Sequence, residues 1–119
     1  MITPLHQLKA EFFKTLSHPT RIRVLELLSN GERSVGELLR ELDIEASNLS
    51  QQLAVLRRAG LVTTRKEGST VYYSIVSHEI ADLLTVARKL LTSLVSDQLS
   101  TLQEDALTTR HAEVRRAIH

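Results

Sequence analysis

Two short amphipathic helices separated by a few residues, a β-hairpin straight after them and a leucine-rich helix near the end predict a mainly α chain with a β-hairpin wing. That is a winged helix-turn-helix, dimerising through its first and last helices. From Pro4 to Leu16, the residues Leu5, Leu8, Phe12, Phe13 and Leu16 recur at steps of three and four, so they share one helix face. Ser17-His18-Pro19 interrupts this helix, because proline disfavours helical geometry in the residue before it yet suits a helical first turn. A second helix, Pro19 to Leu28, carries Ile22, Leu25 and Leu28, widened by Val24 and Leu27 into a stripe broad enough for burial on more than one side. Asn30-Gly31 ends it.

Ser34-Val35-Gly36-Glu37 has capping-box spacing and starts a short helix reaching about Leu42. Asp43-Ile44-Glu45 links it to a helix from Ala46 to Ala59, with Leu49, Leu53 and Leu56 inward. Gly60 closes that helix. Leu61 to Arg65 and Thr70 to Ile75 are β-branched and aromatic runs joined by Lys66-Glu67-Gly68-Ser69, which reads as the hairpin. Ser77 can cap a last helix whose Ile80, Leu83, Leu84, Ala87, Leu90, Leu91, Leu94, Val95 and Leu102 exceed what so small a domain can cover. A second copy is the expected cover, through Leu5, Leu8 and Phe12 of the first helix and Leu83, Ala87, Leu90 and Leu94 of the last.

The 119 residues, 42% of them apolar, suffice for one core. Residues 1–104 are assigned to the winged domain. Residues 105–119, polar with little pattern, are assigned to a flexible tail or a short, loosely packed helix. No apolar run approaches the ~18 residues of a membrane span, and Met1 to Ala10 is too polar for a signal peptide, so the expectation is a cytoplasmic protein without a membrane partner. The lack of cysteine excludes disulfides, thiolate metal sites and cysteine nucleophiles. The net charge of +1 hides an uneven distribution. From Ser47 to Tyr73, Arg57, Arg58, Arg65 and Lys66 stand against Glu67 alone, whereas Ser77 to Asp105 sets five acids against Arg88 and Lys89.

The helix from Ala46 turns Ser47, Asn48, Ser50, Gln51 and Arg57 outward, and Gln52 is counted with them. Small hydroxyls permit close approach to a groove, and an Asn or Gln amide can match adenine with a donor and an acceptor side by side. The amides at the helix start suit phosphate oxygens. At the hairpin, Arg65, Lys66, Ser69 and Thr70 flank a glycine turn and can follow a phosphate backbone. Each group taken alone is equally readable as a solvated face or a charged turn; their succession favours double-stranded DNA.

Three segments also carry a resemblance: Leu16 to Leu28 (LSHPTRIRVLELL), Ser47 to Val62 (SNLSQQLAVLRRAGLV) and Arg65 to Tyr73 (RKEGSTVYY). In this order they resemble the bacterial arsenic-repressor-type (ArsR) regulators, over roughly Leu8 to Leu102, with similarity to a mycobacterial branch linked to hypoxia. The resemblance implies a homodimeric winged-helix repressor that sits on an inverted-repeat operator and leaves it when an inducer binds. The family's metal-ligand positions are not met. The region of its cysteine pair, Ser34 to Leu38, has none, and the positions for zinc between the last helices are Ser77, Glu79, Leu90 and Ser93, of which only Glu79 could ligate.

No metal or other cofactor is therefore expected. His6, His18, His78, His111 and His119 are scattered, with His6 and His78 the one pair worth testing. No catalytic residue is assigned, since no nucleophile elbow, phosphate loop or H-E-x-x-H helix occurs. Three readings remain: an operator-binding repressor, a winged-helix module for protein contacts, and a sensor whose metal or unknown small-molecule inducer sets DNA affinity. Basic residues on helix and wing favour DNA over protein.

Overall fold

The computed structural model describes the backbone of residues 2–118 and the side chains of residues 2–107. Its elements run α1 (Pro4–Leu16), α2 (Pro19–Ser29), β1 (Arg33–Ser34), α3 (Val35–Glu41), α4 (Ala46–Arg58), β2 (Val62–Glu67), β3 (Thr70–Ile75) and α5 (His78–Ile118). Two compact units meet in sequence at Leu84 and Thr85.

Local chemistry fixes the helix starts of the first unit. Thr3 and His6 form a capping box on α1, with the Thr3 amide donating to His6 Nδ1 at 3.1 Å. His18 caps α2 by accepting from the Thr20 amide, and Ser34 with Glu37 closes the expected box on α3. Two of the five histidines thus serve as helix caps. At the end of α4 the Leu61 amide reaches the Leu56 carbonyl and the Gly60 amide the Arg57 carbonyl, both at 3.0 Å. This Schellman arrangement needs the left-handed backbone that Gly60 supplies at φ 75°.

The core draws one stripe from each helix. Val24, Leu25, Leu27 and Leu28 of α2, Leu38 of α3 and Leu49, Leu53 and Leu56 of α4 pack with Leu61, Val62 and Ile80. Of the broad stripe on α2, Val24, Leu25, Leu27 and Leu28 are buried and Ile22 is half-buried. At roughly 1.5–3 kcal/mol for each fully buried leucine, this cluster is the main force holding the helix-turn-helix in shape.

The sheet is three-stranded, in the order β1-β3-β2, all antiparallel. β1 was not foreseen. It is two residues long, pairing Arg33 with Tyr73 and Ser34 with Tyr72, and two residues cannot display an alternation. The hairpin is also tighter than expected: Lys66 pairs with Val71 and Glu67 with Thr70, leaving a two-residue turn. Gly68 opens that turn at φ 62°, the arrangement of a type II′ hairpin.

α5 continues without a break through residue 104, where the sequence reading ended the domain, to Ile118. In the second unit Leu90, Leu91, Leu94, Val95, Leu99, Leu102 and Leu107 are all about half exposed. Among the described residues no helix is long and apolar enough to cross a membrane.

Candidate nucleic-acid interface

α3, the link Leu42 to Glu45 and α4 form the helix-turn-helix, and burial on α4 divides the helix as its period requires. Leu49, Leu53 and Leu56 face the core, while Ser47, Ser50, Gln51, Ala54 and Arg57 are exposed along one side. α4 is preceded by Glu45, whose side chain makes no capping bond, so its first amides have no side-chain acceptor. Positive dipole and free N–H groups together suit an anion there. Ser50, Ala54, Arg57 and Arg58 line an open cleft with Val35 and Tyr73, which brings the start of α3 and strand β3 beside the outer face of α4.

One residue assigned to DNA contact is held inward, and a second is tied to it. Gln52 is only 7% exposed. Its Oε1 accepts from Arg21 Nε at 2.8 Å and its Nε2 donates to Asn48 Oδ1 at 3.1 Å. Gln52 is therefore a correction to the sequence reading: one turn beyond Asn48, it falls on the side of α4 that packs on α2. Asn48 itself is half-buried, its carbonyl occupied. Arg21 also donates to the Thr15 carbonyl at 3.2 Å, tying the end of α1 to the same chain of bonds.

Arg65 is the second revision. Its Nε and Nη2 donate to the two oxygens of Glu32 at 2.8 and 2.6 Å, and its Nη1 donates to Glu67 at 2.8 Å. The guanidinium lies 4.6 Å from the centre of the Tyr72 ring, its cross-strand neighbour. Ser74 Oγ donates to Glu32 at 3.4 Å. The bonds to Arg65 hold the Glu32 carboxyl below its ordinary range, and both carboxylates raise the Arg65 guanidinium further. Two carboxylates around one guanidinium leave no net positive charge at this point of the wing.

Lys66, Ser69 and Thr70 remain exposed at the hairpin. Among the described residues, no ion pair involves Arg57, Arg58 or Lys66. Arg57 and Arg58 on α4 and Lys66 on β2 are thus exposed cations outside any ion pair among the described residues. Sequence reasoning gave no role to Arg21 or Glu32. Glu32 stands 33 positions from Arg65, and no local pattern signals such a pair.

The residues assigned to a dimer contact fall into two groups. Phe12 and Leu83 pack against the core of the first unit. Leu5 and Leu8, at 59% and 67%, and Leu90 and Leu94, at 58% and 48%, are exposed; Ala87 is half-buried. Phe13, 58% exposed, meets Phe12 edge to face at 5.4 Å. Among the described residues no three histidine or acidic side chains gather as a metal site; His111 and His119 lie outside those whose side chains are described.

A helix-turn-helix domain model matches residues 16–65. The HTH-type transcriptional regulator Rv0081 of Mycobacterium tuberculosis is 58% identical over 102 residues, which are 85% of this chain and 90% of that protein. Its crystal structure superposes with a TM-score of 0.74 at 60% identity, covering 82% of this chain and 98% of that one. The biofilm growth-associated repressor of Agrobacterium fabrum is 47% identical over 75 residues, 63% of this chain and 64% of its own. The solution structure of Mb0332 from Mycobacterium bovis, described as a homodimeric winged helix-turn-helix DNA-binding domain and a possible ArsR-family regulator, has a TM-score of 0.67 at 30% identity, covering 74% of this chain and 82% of that one.

Proposed function

The chain belongs to the ArsR-type winged helix-turn-helix transcriptional regulators, a family of DNA-binding proteins and not of enzymes, and from that premise we propose that it is a homodimeric repressor of an inverted-repeat operator in the cytoplasm. The observation that supports this reading is the exposure, within the first unit, of polar and basic side chains on α4 and on the hairpin that follows it. Ser47, Ser50, Gln51 and Arg57 line the outer side of α4, and Lys66 stands on the hairpin that follows it. α4 lies in the major groove with Ser47, Asn48, Ser50 and Gln51 at the base edges. Arg57, Arg58 and Lys66 hold phosphates, and Ser69 and Thr70 approach the backbone from the turn.

Repression calls for two copies. Leu5 and Leu8 on α1 and Leu90 and Leu94 on α5 are the exposed apolar residues proposed to meet their counterparts, and Phe12, Leu83 and Ala87 belong to the same proposed contact. Two-fold symmetry then sets the two α4 helices about one turn of DNA apart, ~34–36 Å.

Footprinting on the DNA upstream of its own gene tests the proposal. A protected inverted repeat is expected, with affinity falling steeply as salt rises. Binding equally tight to scrambled DNA would refute the operator, and a flat salt response would refute DNA as the partner. Small molecules added to the same complex identify an inducer by release.

A further inference from the structure

The bonds around Gln52 have a polarity that no rotation can reverse. Arg21 is a guanidinium, which donates and never accepts, so the atom of Gln52 it meets at 2.8 Å must be the carbonyl oxygen. The other end of the Gln52 amide is then the NH2 group, and the atom it meets on Asn48 at 3.1 Å must again be a carbonyl oxygen. Arg21 is anchored in turn on the Thr15 carbonyl. Gln52 is almost wholly buried, so water does not compete for its amide. The direction set at α2 is thereby delivered to the outer side of α4.

Resting on the operator-binding reading above, we infer that Asn48 meets the major groove as a hydrogen-bond donor through Nδ2 and selects a base whose groove edge accepts: a keto base, guanine or thymine. Guanine O6 and thymine O4 accept where adenine and cytosine present an amino donor, so the selection is made at that atom and not at N7, which both purines share. This departs from the adenine match that a freely turning Asn amide would allow. Arg21 and Gln52 are positioning residues. They touch no base, and they act by fixing which end of Asn48 faces outward.

The test uses the full chain on its own operator, with every base pair of a half-site changed in turn by a transition, which exchanges keto for amino at each base. The wild-type protein loses affinity roughly tenfold at one keto base per half-site, the size of one good base contact. Asn48→Ala is indifferent at that position and unchanged at the others. Asn48→Asp keeps the shape but offers only acceptors, so its preference there turns toward the amino base. Gln52→Glu keeps the bond from Arg21 but offers Asn48 an acceptor in place of a donor, so the Asn48 amide turns and the preference at the same position moves toward the amino base without altering the rest.

The inference is overturned if, at the base pair where Asn48→Ala becomes indifferent, Asn48→Asp retains the wild-type preference. It is equally overturned if folded Gln52→Glu reads the site as the wild type does. Should Gln52→Glu fail to fold, the variant Asn48→Asp, at a half-buried position, decides alone. A wild-type protein indifferent to every transition fails the operator reading itself, an outcome distinct from all of these.

Discussion

Replacing Glu32 by Gln separates two roles for Arg65 by the sign of the result. If Arg65 were a phosphate ligand merely masked by Glu32, the substitution would free its charge and remove an acid beside the DNA. Each protomer would then neutralise about one more phosphate, and the slope of log affinity against log salt would steepen by ~0.9 per protomer, ~1.8 per dimer. The geometry favours the opposite. Arg65 reaches from β2 across β3 to Glu32, next to β1, with two bonds of 2.6 and 2.8 Å, so it braces the hairpin against the rest of the first unit. Without the brace the hairpin moves and Lys66 no longer holds its phosphate, making the slope shallower by ~1.8 per dimer. Between 50 and 200 mM salt, a change of that size alters relative affinity about twelvefold.

Titration of both proteins at four salt concentrations, on operator and on scrambled DNA, reads the difference. Glu32→Gln should bind both DNAs more weakly with a shallower slope, and its amides in residues 62–75 should exchange hydrogen faster. Tighter binding with a steeper slope would refute the brace. The same ion pair sets a pH dependence. The Glu32 carboxyl is held below its ordinary range by Arg65, so its contribution is complete above that range and disappears as pH falls through the lowered value. Wing amides of the wild type should lose protection in acid over that window, and those of Glu32→Gln should not show this step.

Gln51→Ala should cost ~1–3 kcal/mol at one base pair per half-site with little change in salt slope, whereas Lys66→Ala should weaken all sequences alike and flatten the slope by about one for each phosphate it releases; an unchanged specificity ratio in Gln51→Ala would mean that the base-reading face is drawn wrongly. Charged residues at both Leu90 and Leu94 should yield monomers or aggregates in sedimentation at micromolar concentration, and a dimer surviving there would remove these leucines from the interface. One equivalent per protomer of zinc, nickel, cobalt or cadmium should leave the DNA complex intact in a mobility-shift assay, while tight binding that releases DNA would overturn this. Leu53→Ala should lower unfolding free energy by ~2–5 kcal/mol in denaturant titration, because Leu53 is 1% exposed in the middle of the core.

The helices, their order and the hairpin were legible in the sequence, because each rests on a local pattern: the four-residue capping box at Ser34, the leucines of α4 at helical spacing, the glycine at Gly68. The exposed half of the candidate interface was legible for the same reason. What escaped depends on residues brought together by tertiary structure. Gln52 is polar and lies between the exposed Gln51 and the buried Leu53, so only its partner Arg21, 31 positions away, explains how its amide is satisfied on the buried side. Arg65 looks like any wing cation until Glu32 is beside it. β1 is visible only once β3 offers an edge for it to pair with, and beyond residue 104 the sequence left a flexible tail and a short helix both open.

Ser34 holds two posts at once: it pairs with Tyr72 in the sheet, and its hydroxyl caps α3. One residue thus joins the hairpin to the first helix of the helix-turn-helix, and Glu32, two residues earlier, grips Arg65. For anyone building chimaeras, residues 62–75 are consequently not a portable cassette. A hairpin grafted from a relative would arrive without the edge strand and carboxylate that seat it here, and a foreign residue at position 34 would disturb a helix start as well as a strand pair. The segment to exchange as one block runs from Glu32 to Ile75, so the wing and the helix it accompanies are inherited, or redesigned, together.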